Sequence, residues 1–265
     1  MKILLLNATP HKGNTWRVMC ALRDEIAQAD PAVEFEEIHL AGLGLPFCTG
    51  CSLCFRQGHR FCPHADILLP LLAKMEAGDG LIFGTTTFNM APNALAKNLM
   101  DHWCFLLHRP HFFRNKAMVV STTGGVGAGK TVDYTAGTLR AIGYNRCYKL
   151  PLASASWNDY RPSPAAQRKI RHMALCFYKD CVSGCLAPAS VLQMIPYNLF
   201  RGMSLAYAKG SPYETEDGNH WSDPVRAHMA YDPSVPMPFY KKPLGHLFYL
   251  IGRAAGNAVT VTYKK

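Results

Sequence analysis

Four cysteines carry the sharpest chemical signal in this 265-residue chain. Cys48, Cys51, Cys54 and Cys62 follow the pattern C-x2-C-x2-C-x7-C, with Pro63 directly after. Three cysteines at this spacing can wrap their thiolates around one face of an iron–sulfur cubane, and a fourth closes the site. The bacterial ferredoxin run, C-x2-C-x2-C-x3-C-P, has a shorter last gap. The same side chains suit a zinc ion or plain reduced thiols, and spacing alone leaves all three open.

Three further segments gather polar side chains at the ends of apolar runs. The first is Asn7-Ala8-Thr9-Pro10-His11-Lys12-Gly13-Asn14-Thr15. Hydroxyls, an amide and a lysine meet there at an expected helix start, where free N–H groups favour an anion such as a phosphate monoester. A simple cap by Asn14 or Thr15 explains that loop equally well. The second is Gly84-Thr85-Thr86-Thr87-Phe88-Asn89-Met90-Ala91-Pro92, whose small hydroxyl residues let a ring system approach the backbone. Taken alone, it also reads as an ordinary turn.

The third segment, Ser121 to Thr131, contains Gly124-Gly125-Val126-Gly127-Ala128-Gly129-Lys130-Thr131. It satisfies the nucleotide-binding pattern G-x-x-x-x-G-K-T between a strand and a helix. No later apolar run ends in the Asp that would hold Mg²⁺ for that chemistry. Nucleotide hydrolysis at this loop therefore stands as an alternative.

The elements that must position these loops follow from hydrophobic periodicity. Strands are expected at residues 2–7, 33–39, 80–84, 116–122 and 146–150. Helices are expected at 14–29, 65–76, 92–107, from the third loop to 142, and at 163–180. Five tandem βα units imply a doubly wound parallel sheet with right-handed crossovers, which binds ligands at the carboxyl ends of its strands. Residues 184–265 break the pattern, with helices expected near 187–206 and 244–261.

Composition narrows the partners. Lys and Arg number 28 against 18 Asp and Glu, a net charge of +10. That favours anionic ligands, but the basic residues form no stripe, so no nucleic-acid partner is expected. No run of about 18 apolar residues suggests a spanning helix. Leu244 to Ile251 ahead of Lys264-Lys265 is too short and lacks the Trp of a membrane anchor, so membrane contact is not expected. Met1-Lys2 runs straight into a strand pattern, so no leader is expected. Ten cysteines then point to a reducing, cytoplasmic setting.

Taken together, the three loops resemble the NADPH-dependent FMN reductase and iron–sulfur flavoprotein group of flavodoxin-like proteins. The group's G-S-P-R-x-x-G-N-T corresponds to Asn7 through Thr15. Its G-S-P-V-Y, followed by L-K-x-x-x-D-R, corresponds to Gly84–Phe88 and then Leu95 to His102. Its T-G-G corresponds to Thr123-Gly124-Gly125. Asn7, His11, Thr86 and His102 depart from Gly, Arg, Pro and Arg.

The resemblance covers residues 1–180 or so and implies a flavodoxin-like sheet of order 2-1-3-4-5. The corresponding domain would be 1–183, with a cysteine loop at 46–63 and an extension at 184–265. It further implies FMN phosphate at Thr9, His11, Asn14 and Thr15, with the isoalloxazine against Thr86, Thr87, Phe88, Asn89, Thr123, Gly124 and Gly125. The cysteine pattern is similar to the cluster motif of iron–sulfur flavoproteins, which implies a [4Fe–4S] cluster on Cys48, Cys51, Cys54 and Cys62.

The implied activity is electron transfer from NAD(P)H or a ferredoxin-like donor to a quinone, nitro compound or flavin, in a homodimer or homotetramer. A non-enzymatic carrier of the same cofactors is the alternative from another class. No catalytic acid or base is implied, because the flavin carries the chemistry.

The remaining residues are read more plainly. Cys20, Cys104, Cys147 and Cys176 are expected to be buried, and Cys181 and Cys185 to share a helix face in the core. His108 and His111 are expected to be surface or cap residues. Tyr213 to Tyr231 is expected to wrap the sheet edge or cap a neighbour's pocket.

Overall fold

The computed structural model describes residues 1–258. The expected end of the last helix, 259–261, and the Lys264-Lys265 pair lie outside the described residues. The chain begins with β1 (Lys2–Asn7), α1 (Asn14–Ala29) and β2 (Glu34–His39). The cysteine loop holds only the one-turn α2 (Leu53–Arg56) before α3 (Ala65–Ala77). Next come β3 (Gly80–Gly84), the two-residue β4 (Thr87–Phe88) and β5 (Ala91–Pro92), α4 (Ala94–His102) and α5 (Cys104–His108). The sheet is completed by β6 (Lys116–Thr123), α6 (Ala128–Ala141), β7 (Arg146–Ala153) and α7 (Pro164–Ser183). The extension adds α8 (Val191–Ser204), α9 (Glu216–Trp221), α10 (Pro224–Ala227) and α11 (Lys242–Ala258).

Five parallel strands lie in the order β2-β1-β3-β6-β7, with β4 and β5 as a separate antiparallel pair. This is the expected 2-1-3-4-5 path of a flavodoxin-like sheet. The three central strands are buried along nearly all their length because helices cover both faces. Side-chain alternation then divides the core. Leu4, Leu6, Phe83 and Val119 face Leu99, Trp103 and Leu139, while Ile3, Leu5, Ile82 and Met118 face Met19, Leu22, Ile170 and Phe177. Asn7, His39 and Gly84 pair at one level, so β1, β2 and β3 end together at the carboxyl edge. A Cβ on Gly84 would meet Met19 Sδ at 2.1 Å, so α1 reaches its seat on β3 only over a glycine.

Three expectations change. The helix expected at 92–107 is two, because Trp103 leaves helical geometry with ψ 6° and buries its indole completely. Cys20, Cys104, Cys147 and Cys176 are half-buried rather than buried. Cys185 is exposed, because α7 stops at Ser183 and Gly184 turns left-handed at φ 60°, so it never shares a helix face with Cys181. The 213–231 segment wraps its own chain: Trp221 and Tyr231 bury against Phe113, Met194 and Tyr197. No helix among the described residues is long and apolar enough to cross a membrane.

Candidate functional site

The carboxyl edge of the sheet encloses a cavity of about 440 Å³. Its wall gathers Thr9, His11, Asn14 and Thr15 from the first loop, Thr86, Thr87 and Phe88 from the second, and Thr123 and Gly124 from the third. Asn89 and Gly125 lie outside that lining. Asn89 instead holds φ 47° beside Met90 at φ 66°, the paired left-handed geometry of a tight hairpin turn.

Most of the hydroxyls brace one another. Thr15 Oγ1 lies 2.7 Å from Thr122 Oγ1. Thr87 Oγ1 lies 2.8 Å from Ser121 Oγ and donates to Thr131 Oγ1 at 2.9 Å. Thr9 Oγ1 is within 2.8 Å of Asn7 Oδ1 and 2.5 Å of the His11 carbonyl. Asn93, buried behind them, donates to the Ala8 carbonyl and Thr85 Oγ1 while its Oδ1 caps α4. The wall is thus cross-linked before any ligand arrives.

Asn14 is not a helix cap. Its Nδ2 donates to the Ser156 carbonyl at 2.9 Å and the Trp157 carbonyl at 3.3 Å, and its Oδ1 accepts from Tyr160 N. It holds the loop after β7, which adds Ser154, Ser156, Trp157 and Asn158 to the cavity. Sequence reasoning missed this loop by stopping the fifth strand at 150. The signal was present, since Ser154-Ala155-Ser156-Trp157-Asn158 is a fourth polar segment at a strand end. No side chain caps α1 at Gly13, so its first-turn N–H groups remain for an anion. Among the described residues, no carboxylate lines the cavity. Size, amides and the absence of negative charge fit a phosphorylated planar cofactor.

The residues of the nucleotide-loop pattern sit largely apart from this cavity. Thr131 is fully buried and bonded to Thr87, and Lys130 is exposed outside the cavity lining. Neither residue lines the cavity.

The cysteines form a second group, and none of them lines the cavity. Cys48 and Cys51 are exposed; Cys54 and Cys62 are half-buried. Left-handed turns at Gly50 (φ 65°) and Ser52 (φ 62°) fold the loop back between them. Burial first, then the charges of Cys62 and Cys51, push Cys54 up to about 12. Burial also raises Cys62, with Cys51 and Cys48 adding to the effect. Four thiols are the soft donor set of an iron–sulfur cluster, but among the described residues no three of their sulfurs gather into one metal-sized group; the donors that do gather are Cys62, His64 and His102.

Distant residues hold this loop. Asn98 Nδ2 donates to the Leu45 and Pro46 carbonyls, and its Oδ1 accepts from Cys48 N at 3.1 Å. Arg109 Nη2 donates to the Cys54 carbonyl at 2.8 Å, and Nη1 pairs with Asp217 Oδ1 at 2.5 Å, both residues being buried. His108 corrects its expected surface role. It stacks between Phe55 and Phe200, and its Nδ1 meets Asp217 Oδ2 at 2.6 Å. Asp217 sits more than a hundred residues away, so no local signal pointed to it. His111 is exposed and lies 3.4 Å from Glu76.

The model of the NADPH-dependent FMN reductase family matches residues 1–146. The chain belongs to that family. Relatives of this FMN reductase-family chain include the iron–sulfur flavoprotein of Archaeoglobus fulgidus, 28% identical over 48% of this chain and 60% of the relative. The iron–sulfur flavoprotein of Methanocaldococcus jannaschii is 33% identical over 38% of this chain and 51% of its own length. The chain thus spans between half and two thirds of these curated relatives. Among solved structures, the FerB flavoenzyme NAD(P)H:(acceptor) oxidoreductase from Paracoccus denitrificans aligns with TM-score 0.51 and 16% identity, over 69% of this chain and 98% of that one. A flavone reductase aligns with TM-score 0.52 and 15% identity, over 69% and 63%. At such identities these two speak for the fold alone.

Proposed function

We propose that this chain is an FMN-dependent oxidoreductase, taking electrons from NAD(P)H or a ferredoxin-like donor and reducing a small acceptor such as a quinone, nitro compound or flavin. The cavity at the carboxyl edge carries this reading, because it unites the cross-braced threonine wall with an uncapped helix start in a member of this family. Bound FMN would supply the hydride and single-electron chemistry.

The chain supplies binding and orientation. The first turn of α1 and the Thr9–Gly13 loop would hold the phosphate. Thr86, Thr87, Thr123 and Gly124 present a small, flat surface to the ring. The exposed Phe88 of the cavity wall and the exposed Met90 of the same hairpin turn support a homodimer or homotetramer. Cys48, Cys51, Cys54 and Cys62 would ligate a [4Fe–4S] cluster and exchange single electrons with the flavin. Ten free cysteines suit a reducing cytoplasm.

An anaerobic visible spectrum of the purified protein, with flavin, iron and sulfide assays on the same sample, tests this. Released FMN with flavin bands near roughly 370 and 450 nm is expected, along with a broad iron-dependent shoulder. A colourless protein that refuses added FMN would sink the flavin reading. Flavin without turnover of NAD(P)H would leave an electron carrier instead.

A further inference from the structure

The far end of the cysteine loop contains a contact that cluster binding does not use. His64 stands two residues after Cys62, and its Nδ1 lies 2.9 Å from His102 Nε2. His102 Nδ1 in turn lies 2.9 Å from the Asn98 carbonyl oxygen. A carbonyl only accepts, so neutral His102 carries its proton on Nδ1 and presents a lone pair at Nε2. His64 Nδ1 must then be the donor between the two rings. Cys62 Sγ and one nitrogen from each ring all lie within 4.8 Å of one another. Anchoring a ring N–H on a backbone carbonyl is how proteins orient a metal-ligating histidine.

We infer that Cys62, His64 and His102 form a binding site for a borderline divalent cation of the Zn²⁺ type. Two imidazoles and a thiolate are the ligands such an ion takes. Binding forms three metal–ligand bonds and breaks the His64–His102 hydrogen bond. The Cys62 thiol loses its proton to solvent, and the His64 ring proton moves from Nδ1 to Nε2. Tetrahedral coordination with Zn–N near 2.1 Å needs the two nitrogens ~3.4 Å apart, a small opening of the present contact. The fourth position falls to water or to the thiolate of Cys48 or Cys51, both of which act electrostatically on Cys62. Cys62 belongs to this donor set and to the four-cysteine set, so ion and cluster exclude each other. FMN binding is not involved.

Anaerobic titration of the reduced, chelator-stripped full chain with Co²⁺ tests the site. The expected result is one Co²⁺ per chain, with a thiolate-to-cobalt charge-transfer band and intense tetrahedral ligand-field bands that Zn²⁺ bleaches. His64→Ala and His102→Ala each weaken binding by about 10-fold or more and shift the ligand-field bands. Cys54→Ser changes neither. His64 is only half-buried, so its variant carries the test should the buried His102 variant fail to fold. Zn²⁺-induced shifts of both ring nitrogens in ¹⁵N spectra of the unsubstituted chain give an independent reading. The site is overturned by the absence of stoichiometric Co²⁺. It is equally overturned if Cys54→Ser abolishes the spectrum while His64→Ala leaves it intact, which would assign the metal to the four cysteines. FMN content, assayed separately, moves with neither outcome.

Discussion

The strand-end cavity and the cysteine loop are built in opposite ways. In the cavity, polar side chains spend their hydrogen bonds on one another across neighbouring loops, as Thr15 does with Thr122 and Thr87 with Ser121. Ligand contacts are left to backbone amides and small surfaces, so the wall holds its shape when empty. The cysteine loop makes short-range turn bonds, such as Phe55 N to the Ser52 carbonyl and Cys62 N to the His59 carbonyl, but is tied to the rest of the fold from outside. Asn98 fixes its start, Arg109 its middle and His102 its end. A pocket braced from within tolerates change outside it, whereas a loop clamped from outside depends on residues far along the chain. Substituting the clamps should therefore spare the cavity.

Asp217→Ala is the most damaging change by this logic. It leaves Arg109 buried without its counter-charge and removes the partner of His108. Urea unfolding is expected to lose about 3–5 kcal/mol. A loss below about 1 kcal/mol would mean that the extension does not clamp the loop through this pair.

Asn98→Ala comes next. It strips three hydrogen bonds from residues 45–48 and should cost about 2–3 kcal/mol, since buried acceptors are left unpaired. Amide exchange is expected to quicken across residues 45–54 while FMN affinity stays within about twofold. If FMN affinity fell as steeply as stability, the two regions would not be independent in the way their bonding suggests.

The same contrast explains what was legible in the sequence. The doubly wound parallel sheet followed from periodicity and handedness, because Ile3–Leu6 and Leu81–Phe83 read as buried strands, whereas the strand order came with the family resemblance. Nine of the eleven residues assigned to the cofactor lie in one cavity wall, because strand-end loops of a doubly wound sheet converge. The four thiols were visible from spacing alone. What holds them was not, since Asn98, Arg109, His108 and Asp217 meet only through tertiary packing. The split of the 92–107 helix at Trp103 also escaped, because periodicity continues through a buried aromatic that leaves helical geometry.

Acid should find the clamp region before the cavity. Burial, helped by the charges of Arg226 and Arg109, lowers His220 from 6.5 to about 4. Between those values the unfolded chain binds the proton that the folded chain refuses. This contribution is therefore fully present above pH 6.5 and is lost as pH falls toward 4. The expected slope is at most about 1.4 kcal/mol per pH unit. Denaturant titrations of His220→Gln against the unsubstituted chain should converge with falling pH across this window. Parallel curves would assign the acid sensitivity elsewhere.

The smallest effect on folding should come from Trp157, which is 96% exposed yet lines the cavity. Little is buried, so Trp157→Ala should change stability by no more than about 0.5 kcal/mol. Its ring nevertheless stands on a loop that Asn14 fixes at two carbonyls. A planar ligand in the cavity would gain a stacking partner there worth about 1 kcal/mol, or roughly fivefold in FMN affinity. Fluorescence titration with FMN measures it directly, because an indole stacked on the flavin is quenched on binding. Full quenching in the unsubstituted chain, with weaker binding in the variant, would make the loop after β7 part of the cofactor site. Unchanged affinity and no quenching would restrict that site to the first three loops, with Asn14 serving only to close the sheet edge.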